Sequence, residues 1–330
     1  MVEDIDIREN DILAKSQKLL DILLIDRSKS HHFKTQRNIV WATDNYQALG
    51  DGYQEFDEIT VDAVSGQNGL IIQPRTKKSK TEQKGRSREK AEVFTPSWLC
   101  NEQNNLVDAA WFGRSGIFNT SCDKSWRTIK RDIPFPTRTG KTWKDYVLEC
   151  RIEVTCGEAP YLVSRYDTIT GSPIDLPERI GLLDRKLRVV NENNSTYDDW
   201  VEWSLVAFKS IYAFELQGDN LLLARENLLF TFIDNFCYKF EHEPDLGIIT
   251  EVANIISWNI WQMDGLRAVV PNTCHEDNHQ YGGTLFDPPT IVKEMCPGCQ
   301  QGDIRLHNGI ACLIMDWENN APIDFRSLLI

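Results

Sequence analysis

The run Arg151-Ile152-Glu153-Val154-Thr155-Cys156-Gly157-Glu158-Ala159-Pro160-Tyr161-Leu162 holds the residues best placed to do chemistry. A hydrophobic lead carrying an acid breaks at Thr-Cys-Gly, and an aromatic and a leucine then restart a periodic pattern. This spells a strand that enters a tight turn and leaves as a helix beginning near Tyr161. Gly157 lets the backbone approach a ligand, and the start of a helix offers unpaired N–H groups. Farther along, Cys296-Pro297-Gly298-Cys299 has the spacing of a zinc knuckle, in which two thiolates share one tetrahedral ion while turn N–H groups point at sulfur. Cys274 and Cys312 complete the preferred ligand set, with His275 or His307 as substitutes.

The elements that must position these groups follow from periodicity. Thr95-Pro96 opens a helix on which Trp98, Leu99, Leu106, Val107, Ala110 and Trp111 share a face, with Thr95 as N-cap and Pro96 in the first turn. Residues 146–154 lead into the motif as its strand. Ile211-Tyr212-Ala213-Phe214-Glu215 reads as a short buried strand ending in an acid. Residues 220–240 are the strongest helix, with Leu221, Ala224, Leu228, Phe232 and Phe236 on one stripe. An apolar run at 255–260 precedes Trp261-Gln262-Met263-Asp264, and residues 310–315, closed by Asp316, are the last strand candidate. Apolar strands alternating with helices mean an α/β fold, a parallel sheet covered by helices that holds its ligand at the C-terminal strand ends. Upstream, 10–25 reads as one amphipathic helix and 27–62 as irregular. The expected organisation is an N-terminal extension (1–92), a ligand-binding domain (93–270), a cysteine-rich zinc insertion (271–312) and a last strand with its tail (313–330).

Bulk properties narrow the function. With 330 residues, 41% of them hydrophobic, the chain can bury a sizeable core. No apolar run approaches about 18 residues, so no membrane span is expected. The acidic start Met-Val-Glu-Asp-Ile-Asp is unlike a signal peptide, and a cytoplasmic location is the expectation. Nine cysteines, unevenly spaced, favour free thiols plus a metal site over disulfides. A formal charge of -13 argues against a surface coated in nucleic-acid contacts. Against that background, 73–90 is basic and free of apolar residues, and it reads as a mobile solvated loop, with a phosphate-seeking arm as the alternative. His31 and His32 read as surface residues.

Phe94-Thr95-Pro96, the Thr155-Cys156-Gly157 turn, Glu215 with the following Ala224-Arg225-Glu226-Asn227-Leu228, and Asp264 occur in the order found in gamma-type amino-methylating DNA methyltransferases. Over 94–266, about half its length, the chain resembles the methylation subunit of restriction–modification systems. The resemblance implies a Rossmann-like S-adenosylmethionine-dependent methyltransferase fold. It places Thr95 and Pro96 in the wall of the cofactor pocket, and Glu153, Thr155, Cys156 and Gly157 around the methionine part. Glu215 would accept from the ribose hydroxyls and Asp264 from the adenine amino group. Cysteine is ordinary at the position of Cys156, so it is not expected to act as a nucleophile. The implied reaction is in-line methyl transfer to adenine's exocyclic amine in DNA.

Three departures stand out. Ala159 replaces the second glycine, and Glu158 replaces a small hydroxyl residue and must turn away from a ligand carboxylate. The catalytic Asn/Asp-Pro-Pro-aromatic motif, which grips the target amine and stacks on the flipped base, is missing. Asp287-Pro288-Pro289-Thr290 lacks the aromatic and reads as a coincidental turn; Asp316 ends a strand without the prolines. A partner subunit completing the site, a non-catalytic binding subunit, or a zinc-dependent nucleic-acid module are therefore the alternative expectations.

Overall fold

The computed structural model describes residues 9–89, 92–136, 140–281 and 290–329; Asp287-Pro288-Pro289 and the first eight residues lie outside these ranges. The expected N-terminal helix is two helices, α1 (Glu9–Lys15) and α2 (Gln17–Leu24), because Ser16 adopts an extended conformation between them. Segment 27–62 is more regular than its mixed composition suggests. Asp26 accepts from the Lys29 N–H and so caps α3 (Arg27–Phe33). Trp41 then packs against Tyr46, ring centroids 4.6 Å apart, before α4 (Val61–Val64). Both backbone groups of Val40 bond the side chain of Gln262, fastening this extension to the central sheet.

The basic stretch is not a mobile loop. It forms α5 (Lys80–Glu89), whose inward Arg86, together with Lys78 before the helix, is buried against Asp219 at 2.7 and 3.2 Å. Next come α6 (Ser97–Phe112), the β1–β2 hairpin (Asn119–Cys122, Ser125–Thr128) and α7 (Trp143–Leu148). The expected strand at 146–154 is therefore shorter: its first residues belong to α7, and β3 is Arg151–Val154.

The expected face of α6 is turned. Of the expected face only Trp111 is buried; the inward side carries Cys100, Asn101, Asn104, Asp108 and Phe112 with it, while Leu106 is 71% exposed. Polar groups face inward because they have buried work: Asn104 donates to the carbonyls of Tyr161 and Ile180, and Asp108 pairs with buried Arg185 and accepts from the Tyr146 hydroxyl.

After β3 the structure corrects the sequence reading again. No helix starts at Tyr161. The turn through Leu162 leads into an excursion, and the helix begins at α8 (Leu182–Asn193). Leu182 and Leu183 donate their N–H groups to the carbonyls of Tyr161 and Leu162, so the turn sits on the head of α8 as its displaced first turn. Gly181 permits this contact: a Cβ there would lie 2.2 Å from the Leu162 oxygen.

α9 (Tyr197–Lys209) leads to β4 (Ile211–Glu215), and the expected long helix follows as α10 (Gly218–Phe240). α11 (Leu246–Asn259) and β5 (Ile260–Gln262) complete a three-stranded parallel sheet in the order β3-β4-β5. Alternation in β4 sorts side chains by face. Ile211 and Ala213 join the main helical core, whereas Phe214 joins a smaller cluster with Trp261, Met263, Cys312 and Ile314.

The cysteine-rich segment contains the hairpin β6 (Asp277–Tyr281) and β7 (Thr290–Glu294), then α12 (Pro297–Gln301). The last strand candidate does not extend the parallel sheet. As β8 (Leu313–Asp316) it pairs antiparallel with β9 (Ala321–Asp324), because the Asp316 carboxylate accepts from the N–H groups of Glu318 and Asn319 and reverses the chain. Among the described residues, no helix is long and apolar enough to cross a membrane.

Candidate functional site

The turn after β3 is built from backbone conformations that side chains resist. Thr155, Gly157 and Ala159 all have positive φ, at 49°, 54° and 62°. Gly157 adopts this without penalty, while a left-handed alanine costs about 1–2 kcal/mol. Ala159, the departure noted from sequence, is thus a strained residue in a position suited to glycine. Cys156 donates its N–H to the Phe214 carbonyl and ties the turn to β4. The Phe94 ring lies 3.8 Å from where a Gly157 Cβ would stand, so the Phe94-Thr95-Pro96 segment packs onto the turn.

Two carboxylates anchor this geometry. Glu215, at the end of β4, accepts from the N–H groups of Gly157 (2.9 Å) and Gln217 (3.1 Å), one at each oxygen. Glu153 accepts from the N–H groups of Tyr161 (3.3 Å) and Leu162 (3.2 Å). Burial raises both, Glu153 well above the ordinary carboxylate range, against the lowering effect of those N–H groups. Each oxygen keeps a lone pair for a further donor. Glu158 does turn away: it is buried beneath the turn, accepting from the Arg75 N–H (2.7 Å) and the Tyr166 hydroxyl (2.6 Å). Burial also raises the Cys156 thiol well above its usual value, which makes it a poor source of thiolate.

A cavity of about 750 Å³ opens at this C-terminal edge of the sheet. It is lined by six of the eight residues expected to contact a ligand: Thr95, Glu153, Thr155, Cys156, Gly157 and Glu215. Pro96 and Asp264 are not in its lining. Pro96, rather than Thr95, is the N-cap residue of α6, and the cap itself comes from Asp167, which accepts from the Ser97 N–H. Asp264 closes a local turn, accepting from the Leu266 N–H and pairing with Arg267 at 3.1 Å. Gln217, Asn220 and Tyr161 also line the cavity and were missed. The first two lie in the stretch from the acid of β4 through the first turn of α10, and that proximity was the available signal.

The second constellation is a Cys3His cluster. The ligand atoms of Cys274, Cys296, Cys299 and His307 all lie within 4.8 Å of one another and could hold a metal ion. The three sulfurs stand 3.5, 3.6 and 3.6 Å from the His307 Nδ1. Cys296 precedes α12 and Cys299 lies in its first turn, while His307 packs against Gly298. Burial acts to raise the Cys296 thiol, but N–H groups of Asn308, Cys299 and Gly298 with the His307 ring outweigh it and bring it to about 6. Cys312 is not part of the cluster. It is buried in the apolar group beside Phe214 and Trp261, and its thiol donates to the Gln262 carbonyl. His275 is also outside, exposed and 3.6 Å from Asp277.

No protein family, curated protein or solved structure matches the chain.

Proposed function

We propose that the chain is an S-adenosylmethionine-binding, methyltransferase-like subunit directed at adenine in DNA, with a Rossmann-like cofactor domain and a structural zinc. One observation carries the reading. Residues picked from three separate stretches of sequence, namely Thr95, then Glu153, Thr155, Cys156 and Gly157, then Glu215, line a single cavity at the C-terminal edge of parallel strands. This is where open α/β sheets place their ligands. Bound there, the cofactor would supply an activated methyl group. Glu215 would accept from vicinal hydroxyls, and the open turn would admit the ligand close to the backbone at Gly157. Glu158 does not oppose a ligand carboxylate, since its charge is turned to Tyr166 and Arg75.

Zinc is the ion that fits the second cluster. Bonds of about 2.3 Å to sulfur and 2.0 Å to nitrogen at tetrahedral angles set a sulfur–nitrogen edge of roughly 3.5 Å. The three sulfur–nitrogen separations, 3.5, 3.6 and 3.6 Å, support that reading. All four ligands come from the chain, which leaves no open position and makes the site structural rather than catalytic.

Calorimetry with S-adenosylmethionine and its demethylated product tests the first reading. Binding is expected for the folded protein, and Glu215→Ala should weaken it by about 1–3 kcal/mol. Undetectable binding at millimolar ligand would end the proposal. A second reading, a binding subunit whose catalytic half lies on another chain, is favoured by β3. That outer strand leaves Ile152 and Val154 50% and 61% exposed, and the sequence lacks Asn/Asp-Pro-Pro-aromatic.

A further inference from the structure

We propose that the outer face of α5 is a ridge that contacts the phosphate backbone of duplex DNA beside the cavity. The inference rests on the reading of the chain as a DNA-directed subunit, and it names the surface that would do the work.

The helix Lys80–Glu89 has no apolar residue with which to hold itself to the protein. Ion pairs hold it instead. Arg86 bonds Asp219 (2.7 Å) and Glu92 (2.6 Å), and Lys78 bonds Asp219 (3.2 Å). The Tyr46 hydroxyl and the Gln217 side chain close the network. Lys78, Arg86 and Asp219 are each at least 97% buried at the side chain. Buried ion pairs contribute little net stability, because desolvation offsets their attraction; what they secure is location. Two cations of the segment are thus spent on fixing it, and they fix it to the cavity: Glu92 and Gln217 both line that wall.

The remaining cations face the other way. Lys80, Lys84 and Arg88 recur at i, i+4 and i+8, so they share one side of the helix, opposite Arg86. All three are exposed. Glu82 falls off this stripe by the helix's own periodicity. Among the described residues no carboxylate pairs with any of the three, in a chain whose formal charge is -13. The stripe spans about 12 Å, long enough to meet successive phosphates, which follow every ~3.4 Å along one strand. Uncompensated cations on a pinned, regular support complement a polyphosphate. A solvated linker has no need of a buried anchor.

The test titrates a mixed-sequence duplex with the whole protein over a range of salt concentration. It compares the parent, Lys80→Gln/Lys84→Gln/Arg88→Gln, and a charge-matched control, Lys18→Gln/Lys34→Gln/Lys124→Gln. The parent's log affinity should fall with log salt, and the ridge variant's slope should be smaller by about 2.7, about 0.9 for each lost phosphate contact. The control should keep the parental slope, and S-adenosylmethionine binding by calorimetry should be the same in all three. Equal slopes for parent and ridge variant, or an equal loss in the control, would overturn the ridge. So would a ridge variant that loses binding to anionic phospholipid vesicles while keeping its DNA slope, which would assign the face to membranes. If no protein binds S-adenosylmethionine but the slope difference stands, the cofactor reading fails and the ridge survives.

Discussion

Single side chains show what local spacing can and cannot disclose. Cys296 and Cys299 were legible as ligands because only two residues of one turn separate them; His307 and Cys312 were not separable, since only the fold decides which is delivered to the cluster. The difference is testable. One zinc per chain is expected by elemental analysis, retained in Cys312→Ser and lost or greatly weakened in His307→Ala, because the serine replaces a thiol that bonds a carbonyl while the alanine empties a ligand position. Zinc lost from Cys312→Ser and kept in His307→Ala would reverse the assignment. Lys186 was not legible at all, because nothing in its sequence context distinguishes it from a surface lysine. It is buried on α8, donating to the carbonyls of Val147 and Glu149 and to the Ser210 hydroxyl, and burial lowers its ammonium to about 7. The unfolded chain then binds the proton more tightly than the folded one. The penalty is complete below about pH 7, and stability from this group rises with pH from there to about 10.5, by at most about 1.4 kcal/mol per unit. Lys186→Met should flatten that rise relative to the parent in urea titrations across the same window; superimposable profiles would show that the lysine stays charged.

At the level of elements, strands and long helices were the readable part, and surfaces between elements were not. The stripe of α10 and the acid-terminated β4 follow from period alone. The face of α6 does not, because Asn104 and Asp108 point inward to satisfy the carbonyls of Tyr161 and Ile180 and the guanidinium of Arg185, partners far away in sequence. The helix expected at Tyr161 failed for a related reason. Its first turn exists, but residues 163–181 intervene before α8 continues it, and the junction is a backbone contact that no periodicity records. Gly181 is the signature of that contact. Gly181→Ala would drive a Cβ into the Leu162 carbonyl, with no flexible side chain to give way. A destabilisation of about 1–3 kcal/mol or more is expected in urea unfolding, of the size found for overpacked interiors. Weakened S-adenosylmethionine binding should accompany it, since Leu162 and Tyr161 are held by Glu153 beneath the cavity. An unchanged midpoint would mean that α8 and the turn are not coupled.

For the whole molecule, the decisive feature is a parallel sheet left open on one side. Parallel strands are ordinarily buried on both faces and flanked by neighbours. Here β4 is central, β5 is covered by the N-terminal extension through Val40 and Gln262, and β3, which bears the turn, is an edge. Its exposed Ile152 and Val154 lie beside Val107 of α6 at the rim of the cavity. On the proposed reading, a methyl acceptor approaching the cavity would meet this apolar edge; of the carboxamides in the lining, Gln103, Asn104 and Gln217 already bond protein groups, and none stands in an Asn/Asp-Pro-Pro-aromatic sequence. Asp316, the acid that ends the last strand, is instead turned into its own hairpin by Asn319. Binding energy and orientation alone supply only part of a barrier whose remainder needs hydrogen-bond acceptors aimed at the developing charge. The isolated chain is therefore expected to bind S-adenosylmethionine yet transfer radiolabelled methyl groups to mixed-sequence DNA feebly or not at all. A subunit that lays a strand with Asn-Pro-Pro-aromatic along β3 should restore transfer, and that restoration should be sensitive to Ile152→Lys, which places a charge on the edge the new strand must cover. Robust methylation by the chain alone would overturn this division of labour, and alanine at Asp316 and at Asp287 would then identify which carboxylate grips the amine.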